Sequence, residues 1–335
     1  MRIYYSCGTY ISYQRAGSAY MACLQRLGHV LTDDPIHCDL IILHNEPTVY
    51  ADMVSPVPRN IPRVGYAVWE SPQLPEAYKT ALSAVDVVWT CSEFSRAAFA
   101  PFKPTYVLPH VVERQRVSSA ALQRMAKRLG LGANNRPFLF YTIVDAINPR
   151  KNLADLLGAF SIAFPGRAHN VRLVVKQYRV AQDLSGLPFV IDLPETLDDE
   201  EMGALHALCN AYVSAHHAEA WGLPLSEAMS FGNPVIATGY SGNMEFMRSD
   251  NSFPLPYSIV PVSREMCQRL PLFCTDMTWA DVDTSALVRA LRHVRRLTWT
   301  ADDRTHVSDS LQPFSPAAME SRLRQLLTML PTGSR

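Results

Sequence analysis

Two glutamates, Glu219 and Glu227, stand with seven residues between them in the run from Ser214 to Met247. Gly222-Leu223-Pro224 lies between the pair, and a glycine-bearing loop, Gly239 to Asn243, follows. Pro224 suits the first turn of a helix, where its missing N–H costs nothing. Leu225 to Phe231 continues in helix-compatible residues, and Gly232 sits where a left-handed C-cap belongs. Glu219 is therefore expected on the loop before the helix and Glu227 on its first turns. Pro234 to Thr238 is a short β-branched run between turn signals and reads as a buried strand. A helix N-terminus flanked by two carboxylates and a polar glycine loop can hold a phosphorylated sugar. Backbone amides take the phosphate, and the carboxylates accept from hydroxyls.

Arg150-Lys151-Asn152 adds the complementary charge. The triplet follows a strand-like run, Phe138 to Val144, and is expected to open the next helix. Two basic side chains beside a helix N-terminus can neutralise a diphosphate leaving group without a metal. Thr238 to Glu245 offers a further phosphate and sugar contact, in which glycines allow close backbone approach.

Together these motifs resemble the signature of family 4 retaining, nucleotide-sugar-dependent glycosyltransferases of the bacterial polysaccharide-assembly type. The resemblance implies an α/β chain of GT-B architecture: two Rossmann-like, doubly wound domains facing across a cleft. It implies that Glu219 sits by the donor sugar, that Glu227 binds the nucleotide ribose, and that Arg150 and Lys151 bind the diphosphate. Ala220, Trp221, Gly222 and Leu223 would position the sugar, with Ser241, Gly242 and Asn243 beneath the donor. In the first domain Gly8, Glu70 and His110 would, by the same resemblance, be acceptor or cleft residues. Glu70 stands in Gly65 to Pro72, which resembles the segment reaching the cleft in polysaccharide-type relatives. Many relatives carry an arginine six residues before the lysine, where this chain has Asp145. The implied reaction is hexosyl transfer from a GDP- or UDP-sugar to a hydroxyl of a glycan or lipid-linked acceptor, by front-face attack with retention. No cofactor or metal is expected. The alternatives are a nucleotide-sugar epimerase or hydrolase on the same fold, and a catalytically silent partner subunit.

The elements that must position these residues alternate. Strand-like runs at Ile3 to Tyr5, Leu40 to Leu43, Val64 to Val68, Val85 to Thr90 and Tyr106 to Leu108 are separated by helical patterns. The helical patterns fall at Ser18 to Leu27, Pro75 to Ala84 and Glu93 to Phe99. Such alternation predicts right-handed βαβ units and parallel sheets. Gly17-Ser18 is expected to open the first helix and Gly28 to cap it. The first domain is expected at 1–112, a polar, helical linker at 113–135, and a second domain at 136–312. The second series runs through helix Asn152 to Phe164, strands Val171 to Lys176 and Phe189 to Ile191, and helix Asp198 to Asn210. A terminal helix at 313–335 is expected, by the resemblance, to cross back to the first domain.

Bulk properties narrow the classes. Lys plus Arg equals Asp plus Glu at 31 each, so no global field invites nucleic acid. Seven cysteines without a CxxC pair argue against a disulfide scaffold. The polar N-terminus is unlike a signal peptide, and no apolar run approaches the ~20 residues that span a bilayer. A cytoplasmic site is expected, with any membrane contact peripheral, through basic helical surfaces at Arg124 to Arg128 and Arg289 to Arg296. His216 and His217 could serve as base or ligand, but no third ligand has suitable spacing. Asp281-Val282-Asp283 superficially matches a DxD metal motif, and reads better as the N-terminal cap of a late helix.

Overall fold

The computed structural model describes residues 1–55, 57–132, 136–166 and 170–330. The last linker residues, Ala133 to Asn135, and the end of the tail from Pro331 lie outside the described residues. The chain forms two compact units. Unit 1 comprises Met1–Val112, Glu219–Leu223 and Gln312–Arg335; unit 2 comprises Glu113–Ala218 and Pro224–Leu311.

Unit 1 opens with β1 (Arg2–Cys7), α1 (Ile11–Arg26), β2 (Val30–Thr32) and β3 (Leu40–His44). It continues through α2 (Tyr50–Val54), β4 (Arg63–Tyr66), α3 (Glu76–Ala81), β5 (Val87–Thr90), α4 (Glu93–Phe99) and β6 (Thr105–Val107). The strands form one parallel sheet in the order β2-β1-β3-β4-β5-β6. Every residue of β3 and β4 is buried, as expected of parallel strands covered on both faces. The order reverses between β1 and β3, so the crevice at their carboxyl ends is the ligand-accessible switch point of this sheet.

The first helix begins seven residues earlier than its sequence pattern suggests. Tyr10 is the extended residue before it, and Gly17-Ser18 lies inside the helix rather than opening it. The reason is packing. A Cβ on Gly17 would come within 2.7 Å of Cys7 Sγ and 3.3 Å of His44 Nδ1, so this glycine lets α1 settle closely on β1 and β3. Gly28, with φ +84°, ends the helix as expected.

Unit 2 contains α5 (Ser119–Arg128), β7 (Phe138–Val144), α6 (Leu153–Ala163), β8 (Val171–Gln177), β9 (Val190–Leu193), α7 (Asp199–Leu208) and β10 (Ala211–Ser214). After these come α8 (Leu223–Ser230), whose first residue belongs to unit 1, β11 (Val235–Thr238) and β12 (Phe253–Leu255). Its six-stranded parallel sheet has the order β12-β11-β10-β7-β8-β9, the doubly wound Rossmann order, with the switch point between β7 and β10. Phe140, Leu173, Val175, Val213 and Ile236 pack one sheet face against Leu156 and Phe160 of α6. An antiparallel hairpin of β13 (Tyr257–Pro261) and β14 (Thr278–Val282), with α9 (Arg264–Arg269) between its strands, follows. α10 (Thr284–Arg296) and α11 (Ala301–Asp309) complete the unit.

The chain then returns to unit 1 as α12 (Pro316–Thr328), which packs on α1. Arg26 Nε meets Glu320 Oε1 at 2.5 Å, and Arg322 Nε donates to the Val107 carbonyl at 2.9 Å. Leu323 and Leu326 are buried beneath these polar contacts.

Candidate functional site

In unit 2 the carboxyl ends of β7 and β10 bring together two sequence motifs. Arg150 and Lys151 lie on a 3-10 turn, Pro149–Lys151, rather than inside α6. Asn152 separates turn and helix in the left-handed region, with φ +51°, a conformation that asparagine tolerates better than most residues. Arg150 is buried, and its Nη1 donates to the Ala218 carbonyl at 2.7 Å. The His217 amide donates back to the Arg150 carbonyl at 2.8 Å. Arg150 thus braces the loop after β10, while Lys151 is half-buried. Asp145 is buried, and Arg179 from the loop after β8 approaches its Oδ2 at 3.5 Å.

Glu227 sits on α8 as expected, with its Oε2 3.6 Å from His206 Nε2. His206 is fixed from its other side, because its Nδ1 and the Tyr141 hydroxyl lie 2.7 Å apart. Asn233 Nδ2 donates to the Tyr141 hydroxyl at 3.0 Å and to the His206 carbonyl at 2.7 Å. Sequence reasoning missed His206, Tyr141 and Asn233. His206 lies on α7, Tyr141 on β7 and Asn233 in the turn before β11, and only the fold shows that they converge beside one carboxylate.

The loop after β11 is strained where the sequence points to glycine freedom. Ser241 has φ +74° and ψ −150°, a region that costs a non-glycine residue about 1–3 kcal/mol. Asn243 is fully buried. Its Oδ1 lies 3.1 Å from His216 Nε2, and its Nδ2 donates to the Thr238 carbonyl at 3.0 Å. Asn243 therefore holds the loop with both ends of its amide, and His216, also 2.9 Å from Ser214 Oγ, is the buried post it is tied to. His217 stacks on Trp279 at 4.3 Å and shares a hydrogen bond with the Ala280 carbonyl at 2.7 Å. Burial pushes its pKa down, against the raising effect of that bond and of Asp281. Asp283 accepts from the Ala286 amide at 2.9 Å as the cap of α10, and Asp281 faces His217 at 3.7 Å. Among the described residues no three His, Cys, Asp or Glu side chains cluster in a way that could hold a metal.

Residues Glu219–Leu223 group with unit 1. Cys91 Sγ donates to the Ala220 carbonyl at 3.1 Å, and the Trp221 ring meets His110 and Phe314 edge-on at 5.7 and 5.1 Å. Gly222 has φ +93°, so the chain turns into α8 through a conformation that favours glycine. Glu219 is buried. His110 Nδ1 lies 3.0 Å from the Tyr20 hydroxyl and 3.3 Å from that of Tyr66. Burial lowers its pKa to about 3, so it is a neutral imidazole at ordinary pH.

At the switch point of the unit 1 sheet, the Gly8 amide donates to the His44 carbonyl at 2.8 Å. A Cβ on Gly8 would come within 2.7 Å of Asn45 Oδ1. Glu46, two residues past the end of β3, has its pKa raised by burial and then by the charge of Glu70. Both carboxylates also raise the pKa of Tyr13, after burial. The structure therefore adds Glu46 and Tyr13 to the surroundings of Glu70. The sequence signal for Glu46 was only its place two residues past an apolar strand.

Residues 131–253 match the profile of the family described as Glycosyl transferases group 1. The chain is 24% identical over 164 residues to the O-antigen chain mannosyltransferase B of Escherichia coli. That alignment covers 47% of this chain and 41% of the relative, so the chain spans about two fifths of the relative's length. Among solved structures it resembles Anabaena HepE in complex with UDP and glucose, with a TM-score of 0.64 at 15% identity, covering 98% of this chain and 100% of that one. It also resembles the sucrose-phosphate synthase of Thermosynechococcus elongatus, with a TM-score of 0.57 at 16% identity over 93% of this chain and 71% of that one. The two doubly wound sheets and these likenesses make the fold GT-B, and the match over 131–253 supports a glycosyltransferase.

Proposed function

We propose that this protein is a retaining hexosyltransferase of the family 4 type. It moves a sugar from a GDP- or UDP-sugar to a hydroxyl of a glycan or lipid-linked acceptor, without a resident metal. The observation that carries this reading is the Arg150–Ala218 bond. It joins the cationic turn after β7 to the loop after β10 at the switch point of the unit 2 sheet, where doubly wound sheets present their ligands.

The residues divide the work by their chemistry. Lys151 neutralises the departing diphosphate, and Arg150 holds the loop that leads to Glu219. Glu227, steadied by His206, accepts from the ribose hydroxyls. Glu219 and the Ala220–Leu223 backbone position the sugar, and the leaving phosphate takes the proton of the attacking hydroxyl. The strained turn at Ser241 presents loop amides on the donor side. Glu70 contacts acceptor hydroxyls. The polysaccharide-type resemblance and the mannosyltransferase relative support a surface glycan as acceptor. No helix among the described residues is long and apolar enough to cross a membrane, and contact with one is proposed as peripheral.

A thermal-shift panel of nucleoside diphosphates tests the donor assignment, because a ligand that binds the native state raises its melting temperature. Turnover of the stabilising nucleotide's sugars then separates the readings. Donor consumed only with an acceptor supports transfer. Donor consumed alone identifies a hydrolase or epimerase, and a bound but unconsumed donor identifies a silent subunit.

A further inference from the structure

At the edge of the unit 2 sheet opposite the switch point, where α7 and α8 end and β11 begins, lies a pocket of about 300 Å³. Arg114, from the stretch before α5, and Arg304, on α11, line it together with Phe231, Asn233, Thr305 and Ser308; no acidic side chain does. The Arg114 guanidinium lies over the Phe231 ring, 5.0 Å from its centroid. Arg304 Nη1 donates to Asn233 Oδ1 at 3.0 Å. Neither guanidinium has a carboxylate within ion-pair distance among the described residues.

Two guanidinium groups, one exposed and one half-buried, border one polar hollow whose lining carries no acidic side chain, and guanidinium is the side chain best matched to carboxylate or phosphate. Each guanidinium carries five N–H donors in a planar fork, matched to an oxyanion's spacing. Stacking holds one fork and the Asn233 bond holds the other, so little side-chain entropy remains to be lost on binding. Thr305 Oγ1 and Ser308 Oγ donate to helix carbonyls at 3.0 Å each, and either hydroxyl can turn to donate to an anion instead. The volume is about ten times that of one water, enough for a phosphate with a small organic group attached.

We propose that this pocket is an anion site for a phosphate group, inorganic or on a small phosphomonoester, held between Arg114 and Arg304. It is separate from the cations after β7, which lie at the other edge of the same sheet. The proposal does not depend on glycosyl transfer, and its test uses no activity.

Thermal unfolding in sodium phosphate, against sodium chloride at equal ionic strength, reads the site. The expected result is a saturable rise of about 4 °C at a hundredfold excess over Kd. The rise should vanish in Arg114→Gln and persist in Lys151→Ala. Arg114 is the decisive position, because it is exposed and rests only against a ring, so its variant folds. Arg304→Lys, which keeps the charge without the fork, should retain part of the rise. A rise that survives Arg114→Gln, or that disappears in Lys151→Ala instead, places the anion elsewhere and overturns the proposal. So does the lack of any saturable rise in the unsubstituted protein. Glycerol 3-phosphate in a parallel series separates the sources. Equal affinity assigns the pocket to the phosphate alone, and tighter binding assigns it to a phosphomonoester.

Discussion

Lys151 and Arg150 are neighbours in sequence with different duties in space. Arg150 spends its guanidinium on the Ala218 carbonyl, whereas Lys151 remains half-buried beside the turn. A charge-assisted bond from Lys151 to a diphosphate contributes roughly 1.5–3 kcal/mol. Lys151→Ala should therefore lower transfer at subsaturating donor by about tenfold or more, with an unchanged circular dichroism spectrum. If Glu227 reads the ribose, Glu227→Ala should weaken free nucleoside diphosphate in calorimetry. Glu219→Ala should spare that affinity and appear in turnover, because an interaction strengthened in the transition state acts on the rate. Equal loss of nucleotide affinity in both variants would show the roles divided wrongly. His110 makes a third case. Burial holds its pKa at about 3, against an ordinary value of 6.5, and His44 is lowered too, by burial and then by His110. Below about pH 6.5 the unfolded chain takes up protons that the folded chain refuses. Stability should therefore fall as pH drops toward 3, by up to about 1.4 kcal/mol per pH unit for each such group. Urea unfolding at pH 7, 5.5 and 4.5 would show this slope, and His110→Gln should flatten it. The turn after β7 and the start of α8 were legible because the residue types and spacing that mark them are themselves the signal. Glu46, His206 and Asn233 were not, since each acts through neighbours that lie far away in sequence.

Strands were read well from sequence because parallel strands buried on both faces are continuous apolar runs, as in Leu40 to His44. The start of α1 was misplaced because Gly17 counts as a breaker in a propensity reading, while in the fold its missing Cβ lets Cys7 and His44 approach. The hairpin of β13 and β14 went unread. Tyr257 to Pro261 is largely exposed, so no apolar alternation marks it, and its two strands are separated by α9. Gly232 was anticipated as a C-cap, and the structure supplies a second reason for it. It has φ +73°, and a Cβ there would lie 2.6 Å from the Arg304 carbonyl oxygen. Gly232→Ala should thus cost more than the ~1–2 kcal/mol of left-handed strain alone, because the obstacle is backbone. Chemical denaturation would measure it. A loss below about 0.5 kcal/mol, the range of ordinary surface substitutions, would mean that α11 yields easily.

At the scale of the molecule, unit 1 is built from both ends of the chain. Its sheet is complete by Val107, yet α12, which covers part of α1, begins only at Pro316. A chain ended after Leu311 should leave Tyr20, Cys23 and Leu24 of α1 less protected, to be seen as raised dye binding and early proteolysis of unit 1. Unit 2 should persist as a resistant fragment beginning near Glu113. The same arrangement bears on synthesis. About 200 residues separate the end of the first segment from the return at Gln312. At roughly 5–20 residues per second, the emerging sheet waits about 10–40 s for its last helix. During that interval the nascent chain shows the ribosome's surroundings an apolar seam that the finished protein never displays. A stop codon near the 3′ end of its message would make that exposure permanent.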